Sequence, residues 1–209
     1  MLIGITGKSG SGKSTITKIF KELDKSIQII DVDKIAHQSY LNISTKKKII
    51  ALLGSKVINE DLSINRKKVS DIVFNDKELM EKLCSITKTF IEKRTEELIA
   101  KADITILDYA LLPMSKQFKK CDLLILVTAP FSNREKRVIN RDHVSKAKFN
   151  EINNNCLEYN ENDFDFVIEN NFNLSDLRKV IGEIYEKNIV PWKFWSNYLR
   201  TYGYYTASS

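Results

Sequence analysis

The chain contains little glycine, proline, cysteine and histidine. Its 209 residues include 7 Gly, 3 Pro, 3 Cys and 2 His, whereas average usage would give about 15 Gly and about 10 Pro. This scarcity excludes collagen-like and low-complexity chains. Three widely spaced cysteines argue against a disulfide framework or a paired-cysteine metal site and predict reduced, mostly buried thiols. Two histidines exclude a multi-histidine metal centre.

Long apolar runs are also missing. No stretch approaches the about 18 apolar residues of a membrane span, and the N-terminus shows no signal-peptide pattern. The formal charge of +6 can serve nucleic acid, but the lysines are dispersed in short groups, which favours a solvated surface. With 43% hydrophobic and 29% charged residues, the composition is typical of a folded globular protein. We therefore expect a cytoplasmic monomer or weak homo-oligomer that binds neither membranes nor nucleic acid.

The few glycines are clustered. Four of the seven lie within the first twelve residues, at Gly4, Gly7, Gly10 and Gly12. Because glycine permits left-handed backbone and close approach, the cluster predicts a special turn. The apolar run at residues 2–6 predicts a strand before this turn, and the helical period of residues 13–23 predicts a helix after it. Gly4 lies within the strand, where close packing is the simpler explanation.

Residues 7–14, GKSGSGKS, match the phosphate-binding pattern G-x-x-x-x-G-K-[ST]. In such a turn, backbone N–H groups surround the β-phosphate and the following helix directs its positive N-terminus at the same anion. Lys13 would reach the β- and γ-phosphates, and the Ser14 hydroxyl would bind Mg²⁺. The sequence therefore predicts a nucleoside triphosphate site, and the alternative is a glycine-rich turn without a ligand.

Strands and helices alternate along the rest of the chain. The further predicted strands are residues 27–32, 104–107, 123–127 and 166–168, and the predicted helices include residues 66–100 and 174–185. This alternation predicts a parallel sheet covered by helices on both faces. Residues 141–163 have few apolar residues and no clear period, which predicts a mobile excursion over the surface. Aromatic residues at helical spacing after Pro191 predict a helix docked on the core.

A small-molecule kinase fits these patterns better than other phosphate-binding proteins. No guanine-specific N-K-x-D element follows a later strand, and Leu107 with Asp108 gives only a weak version of the acidic strand end of AAA-type ATPases. Phosphoryl transfer needs mainly a phosphate cradle, Mg²⁺, a base for the acceptor hydroxyl and cations for the transferred charge.

Candidates for the base and the cations follow from their positions. Asp33 comes directly after the second predicted strand, where ligands of parallel sheets bind, so it can accept the hydroxyl proton or hold Mg²⁺ through water; the alternative is a helix cap. Arg137 and Arg141 are four residues apart on a predicted helix and can clamp phosphates from one face, or form surface salt bridges. Asp108, which ends the third strand, is a weaker candidate at the same edge.

Five motifs resemble those of the dephospho-coenzyme A kinase family. Residues 3–15 (IGITGKSGSGKST) are similar to its I-G-L-T-G-G-I-G-S-G-K-S-T, residues 31–37 (DVDKIAH) resemble its D-A-D-x-I-A-R/H, residues 65–74 (NRKKVSDIVF) its x-R-x-x-L-x-x-I-V-F, residues 136–141 (KRVINR) its K-R-x-x-x-R and residues 167–171 (VIENN) its V-I-D-N-N/G. The first motif is generic, but the second and third together are quite specific.

The resemblance implies a three-layer α/β fold of the P-loop nucleoside-monophosphate-kinase type, with a five-stranded parallel sheet. It implies one domain over residues 1–209, with a helical acceptor-binding region at about 45–100, a lid at about 141–163 and an aromatic tail at about 189–209. The reaction would be phosphorylation of the ribose 3′-hydroxyl of dephospho-coenzyme A by Mg-ATP, the last step of coenzyme A synthesis.

The predicted site follows from the motifs and the resemblance together. Lys13, Asp33 and Arg141 would be catalytic, and Asp33, Arg66 and Asp108 would bind the acceptor. The residues expected to bind ATP are Gly10, Ser11, Gly12, Lys13, Ser14, Thr15 and Arg137, with Ser14 also holding Mg²⁺.

The chain departs from the family pattern in three places. Lys88 and Thr89 replace a His-Pro pair, residues 110–114 (ALLPM) replace P-L-L-F-E, and asparagines at residues 153–155 replace a Gln and Arg pattern in the lid. Two alternatives therefore stay open. The same fold can phosphorylate another nucleotide or small metabolite, or the chain can be a regulatory protein that binds ATP without transferring phosphate.

Overall fold

The computed structural model describes residues 1–73, 76–171 and 173–202. The strands in these ranges are β1 (Leu2–Thr6), β2 (Gln28–Asp31), β3 (Thr105–Asp108), β4 (Leu123–Thr128) and β5 (Phe166–Glu169). The α-helices are α1 (Lys13–Leu23), α2 (Val32–Ser39), α3 (Ile43–Leu53), α4 (Arg66–Val73), α5 (Lys77–Ile99), α6 (Phe131–Asp142), α7 (Lys146–Asn154), α8 (Leu174–Ile184) and α9 (Val190–Tyr202). A π-helical segment, Tyr185–Ile189, joins α8 to α9.

The strands form one sheet in the order β2-β3-β1-β4-β5. Strand β1 pairs in parallel with β3 and β4, and β4 pairs in parallel with β5. All five residues of β1 are buried, which explains its continuous apolar sequence, since a central parallel strand is covered on both faces. The predicted α/β class and five-stranded parallel sheet are confirmed.

The chain divides into two compact units. The first comprises residues 1–29 and the described residues from 103 onward, and the second comprises residues 30–102. Isoleucines dominate the core of the first unit, with Phe20 fully buried among them. Residues of α3, α4 and α5 form the core of the second. The predicted acceptor-binding region lies within the second unit and the predicted lid within the first.

Residues 141–163 contain more regular structure than the sequence predicted. Helix α7 lies in this range, and the Ser145 side chain caps it by accepting a hydrogen bond from the Lys148 N–H. Phe149 is fully buried, and its ring packs edge-on against that of Phe131 at 5.2 Å between centroids. The sequence did not predict this helix, because one large buried residue holds it without producing an apolar stripe.

The three thiols are free, as expected, but the prediction that they are mostly buried was wrong. Cys84 is exposed on α5, and Cys121 and Cys156 are half-buried. Burial still raises the pKa of Cys121 to about 12. Among the described residues, no three His, Cys, Asp or Glu side chains are grouped so that they can hold a metal ion.

The aromatic helix α9 contacts the rest of the first unit through an aromatic residue near its N-terminal end and through Arg200, which pairs with Asp103. Trp192 packs against the core of the first unit, whereas Trp195 is 60% exposed and Phe194 and Tyr198 are also exposed. Helical spacing predicted the helix, but not that its far half leaves the core. Tyr204, Tyr205 and the Tyr202 side chain lie outside the described residues, as does Phe74 of the third motif. No helix within the described ranges is long and apolar enough to cross a membrane.

Candidate active site

The glycine cluster connects β1 to α1 as the sequence predicted, and the backbone there requires glycine. The φ angles of Gly10 and Gly12 are +79° and +98°, in the left-handed region that disfavours other residues. A Cβ on Gly10 would lie 2.7 Å from the Arg134 carbonyl oxygen, and one on Gly12 would collide with the Asn170 amide. At these two glycines the loop of residues 7–12, hereafter the phosphate loop, packs closely against its neighbours through backbone atoms. Gly4 is also explained by packing, since a Cβ there would overlap Leu112.

The N-terminus of α1 has the features of a helix end that can bind an anion. Its N-cap is Gly12, so within the described residues no side chain caps the helix, and its first turn carries no acidic residue. The Thr15 N–H donates to the Gly12 carbonyl at 2.9 Å, and the helix dipole places partial positive charge at this end of the helix. Ser14 and Thr15 are exposed in this turn. This is the arrangement that binds phosphate.

The Lys13 side chain lies across the phosphate loop. Its Nζ donates a hydrogen bond to the Gly7 carbonyl at 3.0 Å. The side chain is therefore folded back over the loop, where an ammonium can reach the terminal phosphates of a nucleotide.

Ser11 supplies an observation that favours a phosphate ligand. The residue is 1% exposed, and within the described part of the chain its hydroxyl has no hydrogen-bond partner. A buried polar atom without a partner is costly and rare. A phosphate oxygen in the loop would accept the hydrogen bond that this hydroxyl can donate.

Two arginines and an asparagine hold the carbonyl side of the phosphate loop. Arg137 donates to the Gly10 and Ser11 carbonyls at 3.1 and 3.0 Å. Asn170, just after β5, donates from its amide to the Ser11 carbonyl at 2.9 Å, and Arg134 approaches the Ser9 carbonyl at 3.5 Å. Because these carbonyls are held from outside, the N–H groups of the loop can face an anion.

Sequence reasoning placed Arg137 near the nucleotide but missed Arg134 and Asn170. Arg134 is 7% exposed, and it also donates to the Asn153 side chain at 2.8 Å. The signals were present, since Arg134 belongs to a cluster of scarce arginines and Asn170 lies in the fifth motif. Their partners are far away along the chain, so their roles could not be inferred from spacing.

Arg141 contacts a different neighbour from Arg137. Its guanidinium donates to both carboxylate oxygens of Asp142 at 2.7 Å, and its side chain is 62% exposed. The helical spacing that suggested a shared role does not direct the two guanidinium groups to one partner in this structure.

A cavity of about 240 Å³ opens beside the phosphate loop. Its lining includes Lys8 and Ser11 from the loop, Arg134 from α6, and Glu158 and Tyr159 from the segment before β5. The Tyr159 hydroxyl donates to the Ala110 carbonyl at 2.7 Å, which anchors this segment. Asp108, two residues earlier in the chain than Ala110, ends β3 and is 8% exposed.

In the second unit, Asp33 lies exposed in the first turn of α2. The N-cap of this helix is Asp31, whose side chain accepts a hydrogen bond from the Lys34 N–H at 3.0 Å. The capping role that stood as an alternative for Asp33 therefore belongs to Asp31.

Arg66 begins α4 and is held by two side chains of the same unit. Its Nη2 lies 3.1 Å from Nε2 of His37, and its guanidinium carbon lies 5.6 Å from the centroid of the Tyr40 ring. Arginine can only donate, so His37 accepts this hydrogen bond through Nε2. Burial raises the pKa of Tyr40, and the charge of Arg66 opposes this shift.

Residues 1–176 match the sequence model of the family described as dephospho-CoA kinase. The chain belongs to this family. A dephospho-CoA kinase of Fusobacterium nucleatum is 35% identical over 196 residues, which cover 89% of this chain and 97% of the relative. The dephospho-CoA kinase of Aquifex aeolicus is 31% identical over 191 residues, with 88% and 96% coverage. The predicted enzyme class, a kinase that completes coenzyme A synthesis, is thereby confirmed.

Solved structures show the same fold. A protein of Thermus thermophilus superposes with a TM-score of 0.77 at 22% identity and covers 90% of this chain and 97% of its own. Dephospho-CoA kinase of Campylobacter jejuni gives 0.59 at 23% identity, with 89% and 96% coverage. Shikimate kinase of Acinetobacter baumannii gives 0.53 at 13% identity, with 91% and 93% coverage. The predicted P-loop kinase fold is confirmed.

Proposed function

We propose that this chain transfers the γ-phosphoryl group of ATP to the ribose 3′-hydroxyl of dephospho-coenzyme A, and that residues 7–15 hold the nucleotide. The observation that carries the proposal is the phosphate loop itself. Its glycines bend the backbone through positive φ angles, the helix behind it has no side-chain cap in the described residues, and the buried Ser11 hydroxyl lacks a partner among them.

The nucleotide phosphates are bound mainly by backbone. The N–H groups of Gly10 and Gly12 and the buried hydroxyl of Ser11 donate to the nucleotide phosphates, and Lys13 exchanges the Gly7 carbonyl for the β- and γ-phosphate oxygens. Thr15, exposed in the first turn of α1, contacts a phosphate through its hydroxyl at the same positive helix end. Arg137 supports ATP binding through the loop carbonyls that it holds.

Mg²⁺ belongs to the proposal as a partner of ATP. The Ser14 hydroxyl is exposed in the first turn of α1, next to Lys13, and it is a ligand that Mg²⁺ accepts in such loops. The described residues offer no cluster of three metal-binding side chains, so phosphate oxygens and water would complete the shell, as is usual for this ion. When bound, Mg²⁺ neutralises charge on the phosphates.

Asp33 acts as the base for the acceptor hydroxyl. Asp31 caps α2, and Asp33 lies exposed in the first turn of the same helix, shortly after β2. A carboxylate within hydrogen-bond reach of the hydroxyl accepts its proton as the new P–O bond forms. The leaving oxygen remains on ADP.

Arg66, Asp108 and Arg141 complete the proposed site. The guanidinium of Arg66 is oriented by His37 and Tyr40, which suits it to bind a phosphate of the acceptor. Asp108 accepts a hydrogen bond from an acceptor hydroxyl. Arg141 exchanges Asp142 for the transferred phosphoryl group and stabilises the charge on it.

The proposed organisation follows the family resemblance. Residues 1–209 act as one P-loop kinase domain, in which residues of about 45–100 bind the acceptor, those of about 141–163 form a lid and those of about 189–209 form a tail. We propose a cytoplasmic monomer or weak homo-oligomer without a nucleic-acid or membrane partner.

An acceptor assay tests the function. With Mg-ATP and dephospho-coenzyme A, the protein should release ADP and form coenzyme A in equal amounts. Shikimate and a nucleoside monophosphate serve as control acceptors. Turnover of either control without turnover of dephospho-coenzyme A would refute the proposal. ATP binding without ADP release, together with partner binding that is lost on deletion from Pro191, would favour a regulatory protein instead.

A further inference from the structure

Lys8 brings a cation into the cavity beside the phosphate loop. It is the first residue after Gly7 in the loop, and its side chain is only 24% exposed. The same cavity is lined by Ser11, whose buried hydroxyl lacks a partner among the described residues. The cavity therefore has one ammonium and one unused donor on its loop side.

The partner of Lys8 is a carboxylate from outside the loop. Lys8 Nζ forms an ion pair with Glu158, whose side chain is 83% exposed. An exposed carboxylate gains little from such a pair, because water solvates it nearly as well. An anion can therefore displace Glu158 from Lys8. Lys8 itself stays at the cavity, because it is part of the phosphate loop that lines it.

The other cations at the loop have different partners. Lys13 donates to the Gly7 carbonyl, and Arg137 donates to the Gly10 and Ser11 carbonyls. These bonds shape the loop. Lys8 instead pairs with Glu158, an exposed carboxylate that another anion can displace.

The position of Lys13 indicates which phosphate Lys8 would meet. Lys13 Nζ, which reaches the β- and γ-phosphates in such loops, lies 3.0 Å from the carbonyl of Gly7, the residue directly before Lys8. The γ-phosphate end of the site is therefore at the beginning of the loop, where Lys8 lies.

We propose that Lys8 is a further binding residue for the γ-phosphate and that its ammonium pairs with Glu158 when ATP is not bound. The inference rests on the proposed ATP site at residues 7–15. When ATP binds, Lys8 exchanges Glu158 for a γ-phosphate oxygen. After transfer the γ-phosphoryl group is gone, so Glu158 pairs with Lys8 again. Lys8 thereby discriminates ATP from ADP and assists product release.

Titration of ATP and ADP, each with Mg²⁺, tests the inference on variants of the full chain. Lys8→Met should weaken ATP binding about tenfold, the usual order for loss of a hydrogen bond between charged groups, and change ADP binding less than about twofold. Glu158→Gln should tighten ATP binding about two- to fivefold, because a weak surface pair no longer competes. In the double variant, Glu158→Gln should have no effect.

Lys82→Met and Glu78→Gln are the matched controls, since these residues form an exposed Lys–Glu pair on α5. They make the same charge changes and should leave both affinities unaltered. Lys8→Arg keeps the charge and should retain ATP binding.

Two results would overturn the inference: equal effects of Lys8→Met on ATP and ADP, or weaker ATP binding in Glu158→Gln. Failure of the proposed function has a different signature. In that case the wild-type protein binds neither nucleotide, and Lys13→Ala changes nothing.

Discussion

Arg137 donates hydrogen bonds to both carbonyl groups of Asn170, to the backbone oxygen at 3.1 Å and to the side-chain oxygen at 3.2 Å. Both residues also donate to the carbonyl of Ser11. Helix α6, the end of β5 and the phosphate loop therefore meet at one carbonyl oxygen. The conformation of the loop depends on these contacts as well as on its glycines.

Arg137→Met should weaken ATP binding about tenfold, because the Gly10 and Ser11 carbonyls lose a charged donor and the loop relaxes. Arg137→Lys should not restore it, since one ammonium cannot replace the planar guanidinium that donates to four oxygens. ATP titration measures the effect. Arg178→Met is the control, because Arg178 forms an exposed pair with Glu22. Unchanged ATP affinity in Arg137→Met would show that the loop holds its shape alone.

Lys13→Ala should remove most of the turnover, by about 10²- to 10³-fold, because one positioned cation at the transferred phosphate is lost. The protein should stay folded, since Lys13 is half-exposed and Ala is a good helix former. Coupled ADP release gives the rate and circular dichroism the fold. Lys18→Ala, an exposed position on α1, should behave as wild type. A rate close to wild type in Lys13→Ala would exclude its proposed role.

Asp33→Asn should lower kcat about 10²-fold or more and leave ATP affinity unchanged, because a general base is lost while the phosphate loop is untouched. Asp31→Ala is the contrasting variant. It removes the cap of α2 and should lower the free energy of unfolding by about 1 kcal/mol. Steady-state kinetics and thermal unfolding separate the two effects. Near-normal kcat in Asp33→Asn would show that another group is the base.

The free energy of unfolding should fall at low pH, because the Asp24 carboxylate becomes protonated. Burial opposes ionisation of this carboxylate, but hydrogen bonds from Lys193 and Ser26 outweigh it and lower the pKa from 3.8 to about 2. Lys193 Nζ lies 2.7 Å from the carboxylate. A lowered folded-state pKa stabilises the protein above the unfolded pKa. About 2 kcal/mol is therefore present above about pH 4 and lost as the pH falls towards about 2.

Urea unfolding at several pH values measures this loss. Asp24→Asn should lower stability at neutral pH and flatten the acid dependence. Asp103→Asn removes an exposed carboxylate paired with Arg200 and should have a smaller effect at both ends of the range. If Asp24→Asn and Asp103→Asn behaved alike, the pairing with Lys193 would not stabilise the fold.

The parts of the site that could be predicted are those encoded locally. The bounds of α1 are those predicted, Lys13–Leu23, because an apolar period follows directly on a glycine turn. The positive φ angles of Gly10 and Gly12 also follow from residue type and spacing. Strand positions were correct to within a residue or two, because buried parallel strands have continuous apolar sequences.

Other features depended on long-range packing. Asn170 reaches the Ser11 carbonyl across 159 residues of sequence, and no periodicity links the two. Helix α7 was missed because only Phe149 is buried in it. The sequence offers two nearby carboxylates, Asp31 and Asp33, that could cap α2. In the structure Asp31 accepts the hydrogen bond from the Lys34 N–H, a choice that depends on backbone conformation and not on residue type.

The positions of the strands, the glycine turn before α1 and the family motifs could be recognised from the amino-acid sequence alone, because each is encoded by residues a few positions apart. Which side chains hold the loop carbonyls, which carboxylate faces Lys8 and how far α9 follows the core were decided only in the folded chain. Those contacts join segments that are far apart along the chain, and their spacing in the sequence does not indicate that they meet. Only tertiary packing brings them within hydrogen-bond distance.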